Sequence, residues 1–335
     1  MVTHARATRE VRTLQVCCST FGMNPPFHLV FCGTPRFAVP ALEALVRAGF
    51  AVDLVVTQPD RPKGRGMEMA MSPVKQSALA FNLPVVQPEK IKNNLEFRAQ
   101  LEALHPEAII VVGYGRIVPQ WMIDLPPLGN INLHASLLPK YRGAAPIQWA
   151  IACGEAITGV TIMRIDAGLD TGDILKEREL AIDPEDTSET LAPKLAAVGA
   201  ELMVETLSEL KAQTIQPKVQ DHSRATLAPI LQKEDGQVDF QRSADEIHNR
   251  LRGFQPWPGA FTQFRGKQLV ISRAKVAESA ASSVPGSLVV EGARLFVVCR
   301  DSSLELLEVQ PDGKKRMPAR DFINGYRPQP GERLG

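Results

Sequence analysis

Apolar runs that favour β-strands alternate with stretches of helical spacing through the first half of the chain. The β-rich runs are residues 27–32, 51–57, 84–86, 108–112, 130–134 and 160–165, and the helical stretches are residues 38–48, 73–81 and 97–104. Strands that alternate with helices form mainly parallel sheets with helices packed on both faces. The pattern therefore predicts an α/β domain with a Rossmann-like, mainly parallel sheet.

The pattern changes after about residue 212. Residues 213–229 are polar and show no sustained period, and a helix predicted at 244–251 then precedes several short β-rich pieces. These pieces are residues 260–264, 269–272, 286–290, 294–299 and 303–309, each bounded by Gly, Pro or Asp. Short strands between such turns are typical of a small β-barrel, here expected to be OB-like, or a sandwich.

The length of 335 residues suits two domains better than one core. We expect the α/β domain over residues 23–212, a linker over 213–231 and the C-terminal β-barrel domain over 232–335. Residues 1–22 carry Arg6, Arg9 and Arg12 against the single acid Glu10. They fit either a disordered extension upstream of a native start at Met23 or an Arg-rich organelle-targeting segment.

Composition excludes several other classes of protein. No apolar run approaches the roughly 20 residues that span a bilayer, so we expect a soluble protein without membrane partners. The five cysteines are scattered and odd in number, which argues against a disulfide framework and for reduced thiols in a cytoplasmic compartment. We expect a monomer, although the sequence does not fix the oligomeric state.

Nucleotide-binding motifs are missing from the predicted α/β domain. The first strand is followed by Gly33-Thr34-Pro35, and Gly113-Tyr114-Gly115 lacks the third glycine of a dinucleotide-binding loop. The phosphate-binding lysine motif of nucleotide hydrolases is also absent from the sequence. A Rossmann-like layout alone therefore does not predict NAD or ATP.

Polar side chains mark one predicted strand and one loop. Asn132 and His134 lie two residues apart on a strand, so both point to the same face. The loop 166–173 carries Asp166, Asp170 and Asp173 between glycines that let the backbone approach a ligand or strand. Taken alone, the histidine also fits a structural role and the loop an ordinary turn. The three acids of the loop 166–173 do not match a calcium-binding loop, and no metal is expected.

Two longer strings resemble the active site of the folate-dependent formyltransferases. They are NLHASLLPKYRGAAPIQWAI from Asn132 and TGVTIMRIDAGLDTG from Thr158, about forty residues with the spacing of that family. The resemblance implies that 10-formyltetrahydrofolate is the co-substrate. It also implies that Asn132, His134 and Asp170 are catalytic, and it assigns folate binding to the stretch Ser136, Leu137, Leu138 and Pro139.

The residues that indicate which molecule accepts the formyl group lie outside these two strings. The segment TQPDRPKGRG from Thr57, followed by SPVK, resembles the loop with which family members that act on methionyl-tRNA touch the acceptor stem. It implies tRNA contacts by Arg61, Lys63, Arg65 and Lys75, and initiator methionyl-tRNA as partner. Residues 67–71 read MEMAM, which is less basic than such a loop should be.

The C-terminal part supports the same acceptor. Its strings QKEDGQVDF, RGFQPWPGA and GKKRM resemble the second domain of this family, and residues 213–335 hold 18 Lys and Arg against 14 Asp and Glu. A mildly basic surface suits a nucleic-acid backbone. We expect Trp257, between two prolines, to pack at the junction of the domains. A formyltransferase acting on a sugar-nucleotide amine, or a non-catalytic RNA- or folate-binding module, remains the alternative.

Overall fold

The computed structural model describes residues 27–63, 68–277, 284–329 and 331–335. The expectations for residues 1–22 and for the start of the first domain at residue 23 lie outside the described residues. In the first part, the strands are β1 (His28–Gly33), β2 (Ala51–Val56), β3 (Arg61–Lys63), β4 (Glu68–Ala70), β5 (Val85–Val86), β6 (Ala108–Val112), β7 (Asn130–His134), β8 (Ile157–Arg164) and β9 (Ile174–Ala181). The helices are α1 (Val39–Arg47), α2 (Pro73–Ala80), α3 (Leu95–Leu104), α4 (Gln120–Ile123), α5 (Pro146–Ala152) and α6 (Ser188–Lys211).

Seven of these strands form one sheet in the order β5-β2-β1-β6-β7-β8-β9, and β3 pairs with β4 in a separate hairpin. The strands from β5 to β7 are parallel, whereas β8 and β9 are antiparallel to their neighbours. This confirms the predicted mixed α/β fold with a parallel-dominated sheet.

The strand order reverses between β1 and β6: β2 and β5 follow on one side of β1, whereas β6 and β7 follow on the other. Ligands of open α/β sheets bind where the strand order reverses in this way, beyond the carboxyl ends of the strands.

Helices cover both faces of the sheet, and every residue of β6 is buried. The long helix α6 begins at a capping box formed by Thr187 and Thr190. It packs close to β7 because Gly199 has no side chain, and a Cβ there would lie 2.5 Å from the Leu133 side chain. Leu133 lies between Asn132 and His134, so α6 supports the strand that carries both polar residues.

The second part begins with α7 (Ala244–Gly253) and continues with β10 (Phe261–Phe264), β11 (Lys267–Ala277), β12 (Leu288–Glu291), β13 (Arg294–Val298), β14 (Ser303–Pro311), β15 (Met317–Pro318) and α8 (Ala319–Tyr326). Its strands form an antiparallel sheet in the order β10-β11-β14-β13-β12, with β15 beside β14. Apolar residues of the sheet, α7 and α8 form a separate core. The predicted C-terminal β domain is thus confirmed.

The two parts meet where α5 packs against α7. The Trp149 ring lies edge-on to Phe254, with ring centroids 5.3 Å apart, and its Nε1 donates to the Pro229 carbonyl at 2.9 Å. The Arg250 guanidinium lies over both rings. The expectation for Trp257 is wrong: this residue is 55% exposed, and the aromatic residue at the junction is Trp149 of α5.

Among the described residues, no helix has both the length and the apolar character needed to cross a membrane.

Candidate active site

The strand β7 carries the two polar residues into the middle of the sheet. Asn132 pairs with Val111 of β6 on one side and Met163 of β8 on the other, and His134 pairs with Thr161. Asn132 is half-buried, and the His134 side chain is only 6% exposed. Both therefore stand near the carboxyl end of β7, on the edge of the sheet where such folds bind ligands.

Each nitrogen of the His134 ring faces an oxygen atom of the protein. Nε2 lies 2.9 Å from the carbonyl oxygen of Tyr141, and Nδ1 lies 3.7 Å from Oδ2 of Asp170. A carbonyl only accepts, so Nε2 carries a proton and donates it. The longer distance on the other side is an ion-pair distance rather than a direct hydrogen bond. Nδ1 is therefore the ring atom on the side of the carboxylate.

Asp170 lies in a turn with unusual backbone geometry. Its φ is +50°, in the left-handed region that aspartate tolerates better than most residues. Its Oδ2 accepts a hydrogen bond from the backbone N–H of Gly143 at 2.8 Å. Gly143 has a φ of +120° and passes so close to the next segment that a Cβ would lie 2.6 Å from the Ala228 carbonyl oxygen. The carboxylate is thus fixed by a backbone approach that requires glycine.

The structure brings Asp170 and His134 together, with Asn132 on the same face of β7. An amide and an imidazole are donors that stabilise an oxygen on which negative charge builds. A carboxylate next to the ring can accept or relay a proton. The arrangement is suited to attack on a carbonyl carbon followed by proton transfer.

Sequence reasoning missed Gln220, which is 4% exposed. Its amide nitrogen donates to the carbonyls of Asp170, at 3.0 Å, and Gly172, at 2.7 Å. Its Oε1 accepts from the guanidinium of Arg142, which is also buried. A glutamine in a polar stretch gives no sequence signal of burial, since only the folded turn supplies its partners.

Other residues of the segment between the domains form hydrogen bonds with Tyr141 and Arg142. Arg142 and Ala228 are joined by a backbone hydrogen bond from the Ala228 N–H at 2.7 Å, and the Arg142 N–H donates to the Thr226 carbonyl at 2.9 Å. The Thr226 hydroxyl accepts from the Tyr141 N–H at 2.9 Å. Residues 220–228 therefore support both groups that hold His134, namely the Tyr141 carbonyl and the Asp170 turn.

The stretch Ser136–Pro139 follows directly after His134. The Ser136 hydroxyl is fully buried and donates to the Lys140 carbonyl at 2.6 Å, so it stabilises the turn itself. Leu138 is also buried and belongs to a small apolar cluster with Met163 and Ile174. Leu137 and Pro139 are half-buried, so they are the members of the stretch that retain exposed surface.

The expected tRNA contacts differ in their surroundings. Arg61 is exposed at the start of β3, Lys63 ends that strand, and Arg65 lies outside the described residues. Lys75 is instead paired within the protein: its ammonium lies 2.6 Å from the Asp60 carboxylate. The Lys75 hydrogen bond, together with one from Gln87, holds the pKa of Asp60 below its usual value.

This pairing fixes the base of the β3–β4 hairpin near the sheet edge. The Gln87 amide donates to the Gln58 carbonyl and to Asp60, each at 2.8 Å, and the Gln58 amide donates to the Tyr114 carbonyl at 2.9 Å. Tyr114 follows β6 at its carboxyl end. The base of the hairpin therefore lies at the carboxyl ends of the parallel strands, on the same side of the sheet as His134.

Two protein-family models match the chain. The model described as formyl transferase matches residues 28–207, and the one described as formyl transferase, C-terminal domain, matches residues 230–327. A methionyl-tRNA formyltransferase of Koribacter versatilis is 71% identical over 308 residues, which are 92% of this chain and 98% of the relative. One of Acidobacterium capsulatum is 64% identical over 308 residues, 92% of this chain and 99% of the relative.

A solved structure shares the fold at lower identity. It is the N-formyltransferase from Helicobacter canadensis in complex with folinic acid and dTDP-3-aminofucose. The TM-score is 0.63 at 20% identity, and the match covers 84% of this chain and 98% of that chain. At this identity the likeness establishes a common fold across both domains.

Proposed function

The chain belongs to the formyl transferase family, and we propose that it transfers the formyl group of 10-formyltetrahydrofolate to the α-amine of methionyl-initiator tRNA. The observation that carries this proposal is the near full-length identity to relatives named methionyl-tRNA formyltransferase. The product is N-formylmethionyl-tRNA, the aminoacyl-tRNA with which translation begins. The three described cysteines are free thiols, which supports action in a reducing, cytoplasmic compartment.

The chemistry requires an amine to attack a formyl carbon. A new C–N bond forms, negative charge builds on the formyl oxygen, and the bond from the formyl carbon to the folate nitrogen then breaks. Asn132 donates a hydrogen bond to that oxygen as its charge grows. His134 donates to it from Nδ1 when both ring nitrogens carry a proton, since the Nε2–H is already bonded to the Tyr141 carbonyl. Their common face on β7 supports this role, because both side chains reach the same side of the sheet.

The attacking amine must also lose a proton, and the leaving folate nitrogen must gain one. Asp170 is the proposed acceptor or relay, since its carboxylate lies 3.7 Å from Nδ1 of His134. The Tyr141 carbonyl keeps the other ring nitrogen in the donating state, because it accepts from Nε2. His134 is thereby oriented before substrate binds.

Folate and tRNA are proposed to approach along different elements. The partly exposed Leu137 and Pro139 next to His134 support folate binding by the stretch Ser136–Pro139, with Ser136 and Leu138 shaping it from within. The exposed Arg61 supports a phosphate contact by the β3–β4 hairpin, together with Lys63 and Arg65. Lys75 contributes by anchoring that hairpin through Asp60.

A comparison of acceptors tests the proposal. The purified chain is supplied with 10-formyltetrahydrofolate labelled in the formyl group and with either methionyl-initiator tRNA or a dTDP-amino sugar. We expect label on the methionyl-tRNA and none on the sugar nucleotide. Transfer to the sugar nucleotide alone would establish the alternative acceptor, and transfer to neither would overturn formyl transfer to both classes.

A further inference from the structure

The Gln220 side chain uses all of its hydrogen-bonding groups between two elements of the site. Its amide nitrogen donates to the carbonyls of Asp170 and Gly172, while its Oε1 accepts from Nε and Nη2 of Arg142, at 3.2 and 2.6 Å. The orientation of the amide is fixed by its partners, because carbonyls only accept and a guanidinium only donates. A buried side chain with complementary partners on both sides holds one geometry.

The hydrogen bonds of Gln220 hold the turn that carries Asp170, whose carboxylate faces His134. The Gln220 amide binds the backbone at Asp170 and two residues later, so it spans the part of the turn where φ is +50°. Asp170 Oδ2 is then aligned with the Gly143 N–H at 2.8 Å and with His134 Nδ1 at 3.7 Å. A shift of the turn moves the carboxylate away from both groups.

We propose that Gln220, from the segment between the domains, is a positioning residue for formyl transfer that acts by holding the Asp170 turn. This inference rests on the proposed function for its kinetic consequence. Arg142 anchors the other end of Gln220, and the Nη2 of Arg142 lies 2.9 Å from the Nδ1 of His222 in the same segment. The segment that joins the domains thus supplies part of the support for the site.

The substitution Gln220→Glu separates the two halves of this arrangement. Glutamate has the same shape and still accepts from Arg142, but its carboxylate has no N–H to donate to the carbonyls of Asp170 and Gly172. Gln216→Glu is the matched control, because it makes the same chemical change at an exposed position of the same segment. We expect Q220E to lower kcat about 10- to 100-fold, with the KM for 10-formyltetrahydrofolate within about twofold of wild type.

The same change in an Asp170→Asn background tests whether Gln220 acts through Asp170. If it does, Q220E adds less than about a twofold loss of kcat to D170N, because residues that act as a unit are not additive. Hydrogen exchange provides a readout that does not depend on the acceptor. Peptides covering residues 166–173 should exchange faster in Q220E than in wild type or Q216E.

Each result supports or overturns the proposal. A kcat for Q220E equal to that of Q216E, losses that multiply with D170N, or unchanged exchange of the turn overturns it. If Q220E does not fold, Gln220→Met takes the same tests, and failure of both variants to fold shows a general structural role and also overturns it. Failure of the proposed function looks different, since the wild-type chain would then lack transfer to methionyl-tRNA.

Discussion

The carboxylate of Asp170 accepts a hydrogen bond of 2.8 Å from the backbone N–H of Gly143. The oxygen that accepts this bond is also the one that lies 3.7 Å from Nδ1 of His134. A backbone group therefore sets the distance between the acid and the imidazole, and it does so without neutralising the acid. The charge and the position of Asp170 can be separated experimentally.

Asp170→Asn keeps an oxygen that accepts from Gly143 but removes the negative charge beside His134. We expect kcat for formyl transfer to fall about 100- to 10,000-fold, the range for loss of a proton-transfer group, while the denaturation midpoint stays close to wild type. Asp166→Asn is the control, because Asp166 lies in the same turn and is exposed, and its carboxylate accepts from the Gly168 N–H and the Thr171 hydroxyl. Equal kcat values for the two variants would refute a role for the Asp170 charge.

Arg61→Ala tests the proposed contact of the β3–β4 hairpin with tRNA phosphates. The KM for methionyl-tRNA should rise, and the slope of its logarithm against the logarithm of salt concentration should fall by about one, as for loss of one phosphate contact. Arg47→Ala is the control, since Arg47 is an exposed arginine of α1 that pairs with Glu43. The proposal for Arg61 fails if both variants keep the wild-type slope.

Trp149→Phe tests the junction between the domains. Phenylalanine keeps an aromatic ring against Phe254 but loses the hydrogen bond to the Pro229 carbonyl. The free energy of unfolding in chemical denaturation should drop by about 1 kcal/mol. Trp257→Phe, at the exposed tryptophan, should stay within about 0.5 kcal/mol of wild type. A larger loss at Trp257 than at Trp149 would contradict the observed packing.

The lowered pKa of Asp186 leads us to expect a specific dependence of the free energy of unfolding on pH. Burial raises the pKa of Asp186, but hydrogen bonds from Lys194, Thr190 and the Asp183 N–H outweigh it and hold the pKa below its usual value. A carboxyl whose pKa is lowered by folding stabilises the fold above its unfolded pKa of about 3.9, and this stabilisation is lost as the pH falls through the folded pKa.

The corresponding measurement compares wild type with Asp186→Asn by denaturation from pH 7 to pH 3. The wild type should be more stable above about pH 5, and the difference should narrow below about pH 4. Asp312→Asn, at an exposed position of the second domain, should leave the pH dependence of unfolding as in wild type. A difference between wild type and D186N that is constant down to pH 3 would show that Asp186 does not cause the effect.

The central strands β6 and β7 were predicted from the sequence with their observed bounds. The runs 108–112 and 130–134 match β6 and β7 residue for residue. The first is continuously apolar, which is typical of strands covered on both faces, whereas the second alternates polar and apolar residues. Strand β9 received no prediction. It lies at the sheet edge, and its two buried residues are followed by four consecutive charged residues, 176–179, which a polar loop also resembles. Helix α6 contains Pro193, which weakens a helical pattern.

The candidate site was predictable only where its residues share a strand or a motif. Asn132 and His134 follow from strand geometry, whereas Asp170 came from the family resemblance. Gln220 had no signal, because its partners are backbone carbonyls of a turn about fifty residues away in the chain. The misplacement of Trp257 has a similar cause: the residue that fills the junction, Trp149, is distant in sequence and reaches it through α5.

The most direct measurement is the turnover of His134→Ala on methionyl-tRNA with 10-formyltetrahydrofolate. Its control is His28→Ala, an exposed histidine of the same domain that bonds Asp53 at 2.9 Å. Loss of a donor to the developing oxyanion should lower kcat about 100- to 1000-fold in H134A, with H28A near wild type. Turnover of H134A close to that of the wild-type protein would contradict a catalytic role for His134 and the mechanism built on it.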